Sequence, residues 1–191
     1  MTIVTIFNDK TGCLSKKADN IALTPAGLTE ARSIVQQLLQ SLTPLMPAAG
    51  LAAPQIGISK QIFIYSWDRT LENIEAVLNP VIVEYGEESY FSWESCFSTI
   101  QENDVSQAVY ISRAKSLIVE YVNREGKTVK QKLEGFAAKA FQHEYDHLQG
   151  IVDTQKENIQ LNTFPSKQAL IDFMTQIKKE DSLSYLKPIS L

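Results

Sequence analysis

The chain has two histidines, and both stand in one pentapeptide, His143-Glu144-Tyr145-Asp146-His147. On a helix, residues four apart share a face, so His143 and His147 can close on one metal ion. Glu144 then leans over the metal's open coordination position, where a general base for water has to stand. The spacing demands a helix, and His-Glu-x-x-His is the signature of a metal hydrolase. Two solvated or core histidines on an ordinary helix would be the bland alternative. It is disfavoured because the pentapeptide takes every histidine in the chain.

Two histidines do not complete a catalytic site; a third protein ligand is needed, with one position left for water. No other histidine exists, which excludes a three-histidine site. Two readings stay open. A downstream glutamate, Glu157 or Glu180, would make a His-His-Glu protease site. Upstream Cys96 would make a Cys-His-His site, and its company favours it: Glu94 two residues before and small Ser95 beside it. The ordinary role of a lone cysteine is that of a small buried hydrophobe, which suits Cys13 better.

The remaining residues must build a frame for that helix. A chain of 191 residues with 44% hydrophobic content supports a real core, and one domain over 1–191 is expected. The net charge of −4 implies no broad basic surface, so sequence-specific nucleic-acid binding is not expected. No run of about 20 apolar residues offers a membrane span. The opening Met-Thr-Ile-Val-Thr-Ile-Phe-Asn lacks the cationic lead and long apolar run of a signal peptide. The expectation is a cytoplasmic protein of bacterial type, in a reducing compartment where a thiolate is available to a metal.

Residues 1–20 read as an extended, polar entry with a turn at Lys10-Thr11-Gly12. Thr24-Pro25 opens a helix: Thr caps it, and Pro sits where its missing N–H costs nothing. Leu28, Ala31, Val35, Leu38, Leu39 and Leu42 form its apolar stripe, and Pro44 and Pro47 stop it. Ala48 to Gly57 is small and apolar, with Gln55 as its single polar side chain. It reads either as a tight connecting loop or as backbone that lets a ligand come close. Residues 61–67, 76–78 and 81–85 are β-prone, the last two parted by Asn79-Pro80. Residues 117–123 and 128–133 alternate around Arg124-Glu125-Gly126-Lys127, a hairpin. Gly135 admits the motif helix, with Lys139, Gln142, Asp146 and Gln149 on a polar side and Phe136, Ala140, Phe141 and Leu148 inward. Gly150 is a C-terminal cap. A last helix is expected over 162–179. The order of elements predicts an α+β fold.

Three segments together resemble the peptide deformylases. That family carries Gly-Φ-Gly-Φ-Ala-Ala-x-Gln, Glu-Gly-Cys-Φ-Ser and Gln-His-Glu-x-Asp-His-Leu. They stand here as Ala48-Ala49-Gly50-Leu51-Ala52-Ala53-Pro54-Gln55, Glu94-Ser95-Cys96-Phe97-Ser98 and Gln142-His143-Glu144-Tyr145-Asp146-His147-Leu148. The resemblance implies antiparallel sheets wrapped around a central metal-binding helix. It implies one divalent metal ion, Fe²⁺ first, with Ni²⁺ or Zn²⁺ as substitutes, held by Cys96, His143 and His147. It implies removal of formate from N-formylmethionyl peptides and nascent chains, with transient ribosome contact as a further possible partner. Glu144 would act as general base, and the Gln55 amide and the Phe97 backbone N–H as oxyanion donors. Gly50, Leu51, Glu94 and Ala140 would meet the substrate, Leu51 and Ala140 through an apolar pocket for methionine. Asp146 would support the site from behind, with Arg113 as its partner.

The chain departs from the family pattern in places. Ala48 and Ser95 stand where the family has glycine, and Phe97 where it has leucine. Thr99 to Ala108 is polar, longer and free of arginine. These changes bear on substrate range rather than on the metal ligands.

Overall fold

A computed structural model describes residues 3–101, 103–180 and 184–191. Its first helix, α1 (Pro25–Leu42), begins as the sequence requires: Thr24 Oγ1 accepts from Gly27 N at 3.1 Å, and Pro25 follows. Ala31, Ile34, Val35, Leu38 and Leu42 are its buried stripe. Leu28 and Leu39 flank that stripe, half-buried.

Six strands form one antiparallel sheet in the order β1-β2-β3-β6-β7-β9. They are β1 (Gly50–Ala52), β2 (Ile62–Ser66), β3 (Ile74–Tyr85), β6 (Ser116–Val122), β7 (Thr128–Glu134) and β9 (Ile189–Ser190). A second sheet, β4-β5-β8, consists of β4 (Ser89–Ser95), β5 (Ser106–Ala114) and β8 (Gln160–Phe164). The motif helix α2 (Gly135–Leu148) packs on β1, β2 and β7 of the first sheet and on β5 of the second. The fold is α+β, as expected.

Alternation along the strands divides the core in two. Leu51, Ile62, Ile64, Ala76 and Leu78 face α1, while Ala52, Phe63, Tyr65 and Val77 face α2 with Phe136, Ala137 and Phe141. Strand β2 is buried along its whole length because both faces are covered.

Several expectations needed correction. Residues 74–85 make one strand: Asn79 at φ 48° takes up a bulge, and its side chain exchanges two hydrogen bonds with the Ile21 backbone, each of 2.9 Å. The expected helix over 162–179 begins later, as α3 (Lys167–Glu180), because Gln160–Phe164 pairs with β5 instead. The polar stretch 99–108 ends in strand, since Ser106 and Ala108 are buried residues of β5. The entry segment is a set of turns rather than extended chain. One Asp9 carboxylate accepts from the backbone N–H groups of Thr11, Gly12, Cys13 and Leu14.

The polar side of α2 is not a solvated face. Lys139 and Gln142 are buried. Gln142 Oε1 accepts from Ala114 N at 3.1 Å, and its Nε2 donates to Ala114 O at 3.0 Å. Lys139 Nζ donates to Trp93 O at 2.9 Å. The second sheet covers this face, and backbone polar groups satisfy the side chains there. Gly150 adopts φ 76° just past the helix, where a Cβ would stand 2.6 Å from Lys16 N, so the expected cap is present.

Candidate metal centre

Polar pairs join one face of helix α2 to the end of β4 and the turn after it. Positions 139, 143 and 147 share one helix face. Opposite them, Lys139 meets Trp93 O, His143 Nδ1 meets Glu94 Oε2 at 3.0 Å, and His147 Nε2 meets Cys96 Sγ at 3.3 Å.

Cys96 ends β4 in extended conformation and opens a single 3₁₀ turn, Phe97–Thr99. Its Sγ accepts from Ser98 N at 3.4 Å and from Gln55 Nε2 at 3.5 Å. Ligand atoms of Cys96, His143 and His147 all lie within 4.8 Å of one another. The resemblance named this trio, and one ion can reach all of them. Thiolate and imidazole are donors that suit Fe²⁺, Ni²⁺ or Zn²⁺, and three of them leave a position open. Of the glutamates weighed as third ligand, Glu157 is exposed and outside the cluster, and the side chain of Glu180 lies outside the described residues.

Without a cation the three donors are pushed in different directions. Burial holds His147 well below the usual histidine range, and His143 and Arg113 add to the effect, so its lone pairs stay available. Burial alone would lower His143 too, but contacts with Cys96 and Glu94 outweigh it and raise His143. Glu94 fixes the His143 tautomer by receiving Nδ1–H, which turns Nε2 toward the cluster. Burial pushes the Cys96 thiol up, against the pull of His143; a cation would reverse that.

Glu94, expected to meet the substrate, is buried among protein partners. Arg113 grips both of its oxygens, Nε to Oε1 at 3.0 Å and Nη2 to Oε2 at 2.8 Å. Arg113 Nη1 goes on to Asp146, which also receives Lys156 Nζ. The chain His143–Glu94–Arg113–Asp146–Lys156 is a scaffold behind the histidine, buried at Glu94 and Arg113 and half-buried toward Lys156. The Asp146–Arg113 pairing was expected; the double grip on Glu94 was not, since only strand register brings position 113 opposite position 90, behind the motif.

Glu144 is 4% exposed, and its Oε2 has no hydrogen-bond partner among the described residues. Burial pushes its carboxyl up to about 7, so it can both accept and release a proton near neutrality. Gln55 stands in the turn after β1. Its Oε1 accepts from Ala52 N at 2.9 Å, which aims Nε2 at Cys96 Sγ and at Ser98 Oγ, 3.2 Å away. Gly50 backs onto Glu144, and Ala140 lies one helical turn before it, buried. The Leu51 side chain belongs to the α1 core, on the opposite face of β1 from Glu144, so it cannot line a pocket there. Phe97 is half-buried and packs toward the same core.

Fold and cluster together define a metal-site protein of the His-Glu-x-x-His class. The profile of the polypeptide deformylase family matches residues 2–160. A peptide deformylase of Fusobacterium nucleatum is 33% identical over 158 residues, covering 80% of this chain and 83% of that protein. The chain belongs to the peptide deformylase family. A Thermotoga maritima peptide deformylase is 41% identical over 103 residues; that match spans 54% of this chain and 58% of the relative's own length. A crystal structure of peptide deformylase from Thermotoga maritima superposes with a TM-score of 0.68 at 30% identity, over 81% of this chain and 95% of that one.

Proposed function

We propose that this protein is a metal-dependent peptide deformylase, which hydrolyses the formyl amide of N-formylmethionyl peptides and nascent chains and releases formate. The observation that carries the reading is the convergence of Cys96, His143 and His147 beside the buried, unpartnered carboxylate oxygen of Glu144. The proposed ligands are those three, and the proposed ion is Fe²⁺, with Ni²⁺ or Zn²⁺ able to replace it. Bound there, a divalent cation supplies Lewis-acid polarisation of the formyl oxygen and acidifies water.

The chain's own residues do the rest. Glu144 takes a proton from water as its oxygen bonds to the formyl carbon. The C–N bond then breaks, and Glu144 returns the proton to the leaving amine, giving formate and a free N-terminus. Gln55 Nε2 and the Phe97 N–H donate to the developing oxyanion, each contributing on the order of 3 kcal/mol. The open edge of β1 at Gly50 pairs with the substrate backbone as an added strand. Work on nascent chains places the protein in the cytoplasm with transient access to ribosomes. No helix among the described residues is long and apolar enough to cross a membrane.

The test is formate release from formyl-Met-Ala-Ser by protein purified anaerobically with Fe²⁺. Turnover that vanishes on chelation and returns with Fe²⁺ is expected. No formate, beside a working control enzyme, would overturn the reading.

A further inference from the structure

Resting on that reading, we infer that the substrate side chain next to the formyl group meets a polar wall. The enzyme then accepts a neutral polar side chain of methionine's length, such as glutamine, nearly as well as methionine. The seam between α2 and β4 sets this. Beyond the His147–Cys96 end it is closed: Gln61 Nε2 donates to the carbonyls of Ala18 and Leu148 at 3.1 and 3.2 Å, and Ala18 N donates to Leu148 O. A side chain leaving the reacting amide therefore runs toward the start of α2. There, before Glu94 on β4 and His143 on α2, stand Ser92 and Lys139.

Both are buried, Ser92 at 4% and Lys139 at 8% exposure. Ser92 lies two residues before Glu94 and is buried with it on the inward face of β4, between exposed Phe91 and half-buried Trp93. Its Oγ is buried without a hydrogen-bond partner among the described residues. A hydroxyl left so is costly unless a ligand completes it. Lys139 brings an ammonium to the carbonyl of the next residue, Trp93 O. On α2 the next residue toward Glu144 is Ala140, buried and carrying only a methyl. A glutamine amide offers both an acceptor and donors to such a wall, whereas an apolar wall would penalise it about 100-fold or more relative to methionine.

The experiment compares formyl-Gln-Ala-Ser with formyl-Met-Ala-Ser on the Fe²⁺-loaded enzyme. Alongside, calorimetry follows binding of the product peptides Gln-Ala-Ser and Met-Ala-Ser. A kcat/KM for the glutamine peptide within tenfold of the methionine peptide is expected, with product affinities in the same ratio. Lys139→Met and, separately, Ser92→Val should each move both ratios toward methionine by about tenfold. Thermal melts identify a variant that fails to fold, and the other then decides. A wild-type preference for methionine above tenfold, or variants that leave the ratio unchanged, overturns the inference. If neither formyl peptide is hydrolysed but the binding ratios behave as stated, the deformylase reading falls and the polar wall stands.

Discussion

Gly50 is bare because Glu144 occupies the space a side chain would need. A Cβ built on Gly50 would stand 2.7 Å from Glu144 Oε1, 2.8 Å from Glu144 Cγ and 2.7 Å from Ile64 O. Glu144 can swing, but the Ile64 carbonyl is part of the β1–β2 ladder and cannot yield cheaply. Gly50→Ala should therefore displace the proposed general base and strain the strand together. We expect a stability loss of about 1–3 kcal/mol and a kcat loss larger than that strain alone explains. Melting curves and kcat on the same preparation check it; unchanged kcat contradicts the placement.

Glu144→Gln keeps the size of the side chain and removes its basicity. Metal stoichiometry should stay at the wild-type level while kcat falls roughly 10²–10⁴-fold. Metal analysis beside formate release separates the two. A variant that hydrolyses at the wild-type rate would show that another group takes the proton.

Protonation of the same carboxyl makes the stability of the chelator-stripped chain depend on pH. Folding raises Glu144 from an ordinary 4.5 to about 7, so the folded chain keeps a proton that the unfolded chain has lost. Stability is full below the lower value, declines as pH rises through the interval, and is lower by roughly 3 kcal/mol above it. Denaturant midpoints from pH 5 to 8 should fall in the stripped wild type and stay flatter in Glu144→Gln. Parallel curves for the two proteins would count against a buried, proton-holding Glu144.

The scaffold behind His143 predicts a different failure. Glu94→Gln leaves a buried Arg113 half-answered and weakens the grip on His143 Nδ1. Metal affinity should drop 10–100-fold. Arg113→Ala removes the partner of buried Glu94 and half-buried Asp146, and should cost about 3–5 kcal/mol of stability. Competition with a metallochromic chelator measures the first effect and thermal melting the second.

Cys96→Ser tests the ligand set directly. A serine hydroxyl is a poor ligand for these ions, so the variant should lose its metal on anaerobic gel filtration, and turnover with it. Full metal retention with intact hydrolysis would return the downstream-glutamate reading.

Much of the fold could be read from the chain, and the exceptions share a cause. The Thr24-Pro25 start of α1, strand β2 and the hairpin around Gly126 are local, since cap, alternation and turn lie within a few residues. Strands β5 and β8 draw their stability from each other across 50 residues of sequence, and no window shows that. Gln142 and Lys139 read only as part of a polar side, because helix periodicity cannot say what covers a polar stripe. The site divides the same way. His143, Glu144 and His147 announce themselves by spacing. Arg113 carries no motif, and only the antiparallel register of β4 and β5 puts it behind Glu94. Leu51 was expected to meet substrate; a strand of three residues turns successive side chains to opposite faces, and its side chain is buried on the face toward α1.

The grip of Gln142 on both polar atoms of Ala114 has a consequence for how the centre meets its ion. One side chain stands in for a neighbouring strand and pins the rotation of α2 about its own axis. With α2 so held, Cys96, His143 and His147 stand within 4.8 Å of one another with no cation to gather them. A cage finished in advance takes whichever fitting ion the surroundings provide. Selectivity then rests on metal supply and donor softness, and the same apoprotein should yield differently loaded enzymes from differently stocked cells.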